Sequence, residues 1–400
     1  MKILYIHQYF RTPEEGGCTR SYHLAKGLVE NGYEVEIITA HNGRYECKDI
    51  DGIHVRYLPV AYSNKFGFLR RIFAFLKYVR SAIKESKKIQ RIDLAYVMTT
   101  PLTTGLIALN LKKSRNIPYC FEVGDLWPEA PIQMGAIKNS IFKSILYRFE
   151  RKCYFEAQKI VALSPAIRNY IEKVSPVTKV FVIPNLAHCS YYEHKISIKK
   201  HGHESPFRIG YIGTIGRANH LTFLVNVARE SIKKNLPLEF HIMGEGGEAR
   251  KIKKSVSRLS NVIIHDFGPT SGVKTLIEKM DAVYVSFKNI PVLNTGSPNK
   301  FFDGLASGKL IIINFEGWIK DVIESNKCGF TYTPQKPKQF LKRIKPYLES
   351  ADLLLKAQQN SRRVAETFYD KELLVKKLLK VLNNEQSIML DDSEIYILTA

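Results

Sequence analysis

The chain is 400 residues long with 45% apolar and 24% charged residues, ordinary values for a soluble globular protein, and the length calls for two or three domains with well-buried cores. Lysine and arginine number 60 against 38 acidic residues, a formal net charge of +22, which suits anionic partners: nucleotide phosphates, anionic lipid or nucleic acid. Cys18, Cys47, Cys120, Cys153, Cys189 and Cys328 form no C-x-x-C pair, so neither a zinc nor a disulfide framework is expected.

The first strand, Lys2 to Tyr9, opens the chain without the charged and apolar regions of a signal peptide, and no apolar run approaches the roughly 18 residues that span a bilayer. A cytoplasmic protein is expected. After RTPEEGGCTR comes a helical pattern, Thr19 to Glu30, closed by Asn31-Gly32, and then an apolar strand, Glu34 to Thr39. This is a βαβ unit opening a doubly wound parallel sheet. Gly16 and Gly17 fall at the carboxyl end of the first strand, where they let a ligand approach the backbone, and Arg20 is placed to meet a phosphate. Asp49 and Asp51 form a D-x-D, a pattern that elsewhere holds a metal, but the polar turn KDIDG accounts for them; no metal is expected.

Residues 65–91 carry nine basic residues and the single acid Glu85, interleaved with Phe68, Leu69, Ile72, Phe73, Phe75, Leu76 and Val79 at nearly helical spacing. Docking on an anionic membrane surface, a core-facing helix with a solvated basic face, and a nucleic-acid patch all fit; no nucleic-acid motif elsewhere supports the last. The strand Pro118 to Val123 runs into GDLWPE, so Asp125 and Glu129 stand where open α/β sheets place their chemistry. An acidic helix cap with Trp127 in the core is the plainer alternative. A basic helix follows, Ser140 to Glu156, and the strand KVFVIPN ends the half at Asn185.

A second βα series begins at Phe207, with a Gly-rich turn at Gly213, Thr214, Gly216 and Arg217. LEFHIM then leads into GEGGEA, holding Gly244, Glu245 and Gly246, which also matches the dinucleotide pattern G-x-G-x-x-A, with Asp266 lying 17 positions past Ala249. The stretch NTGSPNKFFDGLASGK is a loop feeding a short helix, with Pro298 and Asn299 at its mouth, Lys300 beside them and Asp303 one turn inside. A helix N-terminus with a lysine favours a phosphate, and the carboxylate suits a sugar hydroxyl.

Taken in order, Gly-Gly after the first strand, GTIG opening the second half, GEG after its next strand and PNKFFDGLASGK resemble glycosyltransferase family 4. GDLWPE is similar to members that add N-acetylated amino sugars or deoxy sugars to bacterial surface polysaccharides (capsule, O-antigen, exopolysaccharide). The resemblance spans about Lys2 to Asn383. It implies the GT-B architecture: two facing Rossmann-like doubly wound parallel-sheet domains, with final helices crossing back to the first. The expected boundaries are 1–185 for the acceptor-side domain, 186–205 for a linker, 206–365 for the nucleotide-sugar domain, 366–385 for the returning helix and 386–400 for a tail.

By the same resemblance Asp303 meets the donor ribose, Gly213, Thr214, Gly216 and Gly244 to Gly246 line the nucleotide, Gly16 and Gly17 approach the diphosphate, and Asp125 sits near the reacting sugar. The chain departs from the family pattern at three places. Thr295 replaces the first carboxylate of E-x7-E, Thr214 replaces the arginine of the G-R turn, and Asn219-His220 replaces Lys-Gly. Lys300, Arg217 or both are therefore expected to supply the charge facing the leaving diphosphate. The resemblance further implies retention of configuration, a UDP-linked donor as substrate with no cofactor, and a polyprenyl-diphosphate-linked or oligosaccharide acceptor at the cytoplasmic face of the membrane. A non-hydrolysing nucleotide-sugar epimerase, an NAD-dependent oxidoreductase using Gly244 to Ala249, and a noncatalytic basic scaffold are the competing readings.

Overall fold

The computed structural model describes residues 1–17, 19–63, 66–192, 201–266, 270–384 and 396. Cys18, Lys65, residues 193–200 of the expected linker and nearly all of the expected tail lie outside the described residues. The chain divides into two compact units. The first comprises Met1–Pro184, Thr295–Ser297 and Leu374–Asp392, and the second Asn185–Asn294, Pro298–Leu373 and Ser393–Ala400.

The first unit is an eight-stranded sheet. Its strands are β1 (Lys2–Ile6), β2 (Glu34–His41), β3 (Glu46–Ile50), β4 (Ile53–Pro59), β5 (Leu94–Met98), β6 (Tyr119–Val123), β7 (Lys159–Ala162) and β8 (Val180–Val182), ordered β3-β4-β2-β1-β5-β6-β7-β8. All neighbours are parallel except β3 and β4. The central strands are buried on both faces, which is why KILYI, LAYVM and YCFEV read as continuous apolar runs. Helices α1 (Arg20–Glu30), α2 (Phe68–Ser86), α3 (Thr104–Arg115), α4 (Glu129–Gln133), α5 (Ser140–Glu156) and α6 (Pro165–Val174) connect them. The starts of α5 and α6 are set by side chains: Asn139 accepts from the Phe142 amide at 2.9 Å and Ser164 from Ile167 at 3.0 Å, with Pro165 in the first turn.

The D-x-D segment is a hairpin between β3 and β4. Asp51 and Gly52 both take positive φ, 49° and 80°, as a tight hairpin turn requires. Asp49 accepts from or pairs with His54 at 2.8 Å, and Asp51 accepts from the Tyr22 hydroxyl. The turn therefore explains both carboxylates, and β3 is an antiparallel edge strand that its polar sequence hides.

The second unit is a six-stranded, all-parallel sheet: β9 (Phe207–Ile212), β10 (Leu238–Met243), β11 (Val262–His265), β12 (Ala282–Val285), β13 (Leu310–Ile313) and β14 (Gly329–Thr331), ordered β11-β10-β9-β12-β13-β14. This is the Rossmann order, whose direction reverses between β9 and β12. Helices α7 (Thr222–Lys233), α8 (Ala249–Val256), α9 (Thr270–Glu278), α10 (Asn299–Ala306), α11 (Trp318–Ser325), α12 (Pro337–Glu349) and α13 (Ala351–Val364) pack around it. The expected pair of doubly wound parallel sheets is what the chain forms.

The run of final helices is interrupted after α13. A π turn, Ala365–Tyr369, ends in extended Asp370, because this backbone pairs with Ala187: the Ala187 amide donates to Tyr369 O at 2.7 Å and the Lys371 amide to Ala187 O at 3.0 Å. Helix α14 (Lys371–Leu382) follows, and from Leu374 it belongs to the first unit. A Cβ on Gly27 would come within 2.4 Å of Val375, so α1 needs glycine there for α14 to lie against it. Lys159 Nζ donates to the carbonyls of Val381 and Leu382, at 2.5 and 3.2 Å, satisfying the end of α14.

Candidate active site

In the second unit the reversal of strand order at β9 and β12 opens a crevice at the carboxyl ends of the strands, and the expected donor residues gather there. The turn after β9, Gly213 to Gly216, is laced to the turn after β10. The Gly213 amide donates to Met243 O at 2.9 Å, Ile215 to Glu245 O at 2.8 Å, and Glu248 to Ile215 O at 3.0 Å. A Cβ on Gly244 would lie 1.8 Å from Gly213 O, and one on Gly246 (φ 150°) would lie 2.5 Å from Ile215 O. Both glycines are thus required by turn-on-turn packing. The G-x-G-x-x-A match has that explanation in full, which removes the basis of the dinucleotide reading. Glu245 stays exposed beside them, as does Thr214, whose carbonyl accepts from Tyr211 Oη at 2.5 Å.

Helix α10 begins at Asn299, which is exposed, with extended Pro298 ahead of it and no side-chain cap; in its first turn the Phe301 amide donates to Pro298 O at 3.0 Å. Lys300 folds back from this helix to Gly213: a Cβ there would meet Lys300 Cε at 3.2 Å and Nζ at 3.5 Å. Its Nζ lies 4.9 Å from the centre of the Tyr211 ring. Desolvation lowers the Lys300 pKa to about 8, against the pull of Asp303. Desolvation likewise raises Asp303 to about 6, opposed by Tyr192, whose hydroxyl donates at 3.3 Å, and by Lys300. Tyr192 and Tyr211 carry no sequence signal for this role: the first lies in a polar connecting stretch, the second inside an apolar strand.

The other expected cation, Arg217, lines a pocket of about 290 Å³ with His220, Thr222, Glu248, Lys251 and Lys288. Burial first, then Lys288 and Lys251, push the His220 pKa down. Lys251 has Glu248 at 3.4 Å. Asn219, at the family's lysine position, is buried and bound to β12: its carbonyl accepts from Ser286 Oγ at 2.7 Å. Two cationic features thus flank the Gly213 turn, Lys300 at its start and the Arg217 cluster after its end.

In the first unit Gly16 and Gly17 adopt φ of 69° and 93°, and no atom stands within 4 Å of a Cβ placed on Gly17, so backbone conformation alone requires glycine there. Arg20 corrects the expectation. It is buried, its Nε and Nη2 donate to Glu122 at 3.0 and 3.1 Å, Nη2 also reaches Ile183 O at 2.9 Å, and Nη1 donates to Pro184 O. With four of its five N–H groups held by these partners and its side chain buried, Arg20 is a core ion pair and not a surface cation for a phosphate. Glu129 is also engaged: Gln133 donates to one oxygen at 2.6 Å and Tyr147 to the other. Asp125, in contrast, keeps an exposed side chain, and crowding by surrounding protein raises its carboxyl pKa. It is the free carboxylate of GDLWPE.

Comparison with known proteins follows the same division. The family model for a glycosyl transferase 4-like domain matches residues 15–186, and the model for glycosyl transferases group 1 matches 206–350. No curated protein matches the sequence. Among solved structures, sucrose-phosphate synthase from Thermosynechococcus elongatus superposes with TM-score 0.77 at 13% identity, over 96% of this chain and 98% of that one. Anabaena HepE in complex with UDP-glucose gives 0.69 at 15%, over 96% and 100%. WaaG, a glycosyltransferase involved in lipopolysaccharide biosynthesis, gives 0.66 at 15%, over 95% and 99%. These structures share the GT-B fold. With the two models taking up its halves in order and only residues 1–14, 187–205 and 351–400 outside them, the chain belongs to the GT-B glycosyltransferases of the family 4 type.

Proposed function

We propose that this glycosyltransferase moves an N-acetylated amino sugar or deoxy sugar from a UDP-linked donor, with retention and without a metal, to a lipid-linked or oligosaccharide acceptor in the assembly of a bacterial surface polysaccharide. The observation that carries the reading is the convergence of the Gly213 turn, Lys300 and Asp303 at the switch point of the second sheet. Cleaving a glycosyl–phosphate bond leaves negative charge on the diphosphate, and preorganised amides and cations lower that barrier without a metal. Lys300 and the positive end of α10 supply them, Arg217 adds charge past the turn, and Asp303 accepts from the ribose. HepE, of the same fold, is seen with UDP-glucose, which supports the choice of base, and the role of WaaG in lipopolysaccharide supports the pathway.

No helix among the described residues is long and apolar enough to cross a membrane. The acceptor's lipid is instead met by α2, which keeps Phe75 and Val79 in the core while Leu69 and Phe73 remain exposed beside Arg70 and Lys77. On this reading the enzyme sits peripherally on the cytoplasmic face, and the exposed apolar and basic side chains of α2 support it.

Acceptor-dependent release of UDP from a panel of UDP-sugars tests the transfer. Lys300→Ala is expected to lower kcat/KM about 100-fold, on the order of 3 kcal/mol. The wild-type kcat/KM should fall as pH rises through about 8, where Lys300 loses its proton, and Lys300→Arg should abolish that fall. Near-normal turnover in both Lys300→Ala and Arg217→Ala would sink the proposal.

A further inference from the structure

We infer that α2, α3 and α5 together form one bilayer-docking rim, and that its second half, on α5, holds the Asp125 loop against an anionic lipid surface. The three helices connect β4 to β5, β5 to β6 and β6 to β7. Each step moves the same way across a parallel sheet, so right-handed crossovers put all three on one face. Consecutive helices pack side by side, α2 on α3 and α3 on α5. Each runs back against its strands, so the first turns of all three lie together at the carboxyl edge.

Those first turns carry large apolar side chains in water. Leu69 and Phe73 on α2 are 79% and 70% exposed, Ile141 and Ile145 on α5 are 71% and 56% exposed, and Leu106 and Phe142 are exposed as well. The charge on those first turns has one sign. No acidic side chain stands in the first turn of α2, α3 or α5, whereas Arg70, Arg71 and Lys143 stand near the positive ends of their helix dipoles, where water favours acids. An anionic headgroup layer reverses that penalty while its acyl region takes the apolar side chains. A lipid surface is therefore the occupant that answers both features.

The rim is tied to the candidate acceptor loop from both sides. Trp127 meets Phe75 of α2 edge-on at 6.5 Å between ring centres, and Glu129 accepts from Tyr147 of α5. Asp125 stands in the same loop, two residues ahead of the first tie and four ahead of the second. Delivery of a lipid-linked acceptor to Asp125 rests on the transferase reading; the docking itself does not.

The test is co-sedimentation of the full chain with vesicles of phosphatidylcholine alone and of phosphatidylcholine with phosphatidylglycerol. Wild type should bind the mixed vesicles, more weakly as salt rises. Ile141→Ser/Ile145→Ser should lower partitioning at least about tenfold, as should Leu69→Ser/Phe73→Ser and the charge variant Arg70→Gln/Arg71→Gln/Lys77→Gln. Thermal unfolding should be unchanged in the two apolar-to-serine variants, since those side chains are exposed. Should a variant not fold, Phe142→Trp gives a positive signal: quenching of its emission by brominated lipid is expected, and absence of quenching on bound vesicles overturns the inference. Wild-type binding in the α5 variant also overturns it, as does a loss of self-association in sedimentation velocity with vesicle binding intact, which would make the rim an interface between copies. Because vesicle binding needs no donor, UDP release can fail while docking stands, and the reverse.

Discussion

Asp303, with its pKa raised to about 6, and Lys300, with its pKa lowered to about 8, are both ionised between those values, in a site that disfavours either charge. The signs follow from linkage. Below its unfolded value near 4 Asp303 is neutral in both states, and its favourable contribution is lost as pH rises through about 6. Lys300 is the reverse: its contribution is complete above its unfolded value and is lost as pH falls through about 8. Asp303→Asn should therefore stabilise the apo protein at neutral pH by about 1–2 kcal/mol, allowing for partial solvent access, and should converge on wild type below pH 4. The same change should weaken UDP binding about tenfold, since a charge-assisted hydrogen bond becomes a neutral one. Urea unfolding at several pH values with a UDP titration checks both; a variant less stable than wild type at pH 7 would refute the account. Both residues were legible in the sequence, because a loop, a lysine and a carboxylate one turn later form a local pattern. Arg20 was not, because its partner Glu122 is 102 positions away and nothing local announces an ion pair.

At the scale of elements, the two glycine-rich turns act as one body. Gly244→Ala would place a methyl 1.8 Å from a backbone carbonyl, where no side chain can yield, so the turns must separate. The expected cost is about 2–4 kcal/mol of stability together with loss of UDP binding, whereas Gly247→Ala, with nothing within 4 Å, should leave both nearly unchanged. Thermal shift with and without UDP distinguishes them, and equal behaviour of the two variants would refute the packing argument. Sequence pattern identified these turns because glycine marks strained backbone, but it could not tell a glycine facing a ligand from one facing another turn. The long basic helix shows the same boundary. Its apolar residues follow helical spacing, yet Phe75 and Val79 go inward while Leu69 and Phe73 go outward, a split that depends on which neighbours the sheet supplies. Edge strand β3 escaped notice because ECKDI pairs on one side only and has no buried face to impose alternation.

At the scale of the whole molecule, each unit has its own parallel sheet and core, yet α14 follows the second in sequence and folds with the first. The helix was readable as a helix; its membership was not, because the deciding contacts are Gly27 against Val375 and Lys159 against the last carbonyls, pairs far apart along the chain. Two separate cores should give separable unfolding transitions in calorimetry. UDP at about 100 times its dissociation constant should raise the second unit's transition, a gain of roughly 2.7 kcal/mol, and leave the first where it is. Lys159→Met should do the converse, lowering the first unit's transition by about 1–3 kcal/mol as the α14 carbonyls lose a buried donor. If a single transition responds equally to both perturbations, the units unfold as one cooperative body, and α14 then couples them as well as completing the first.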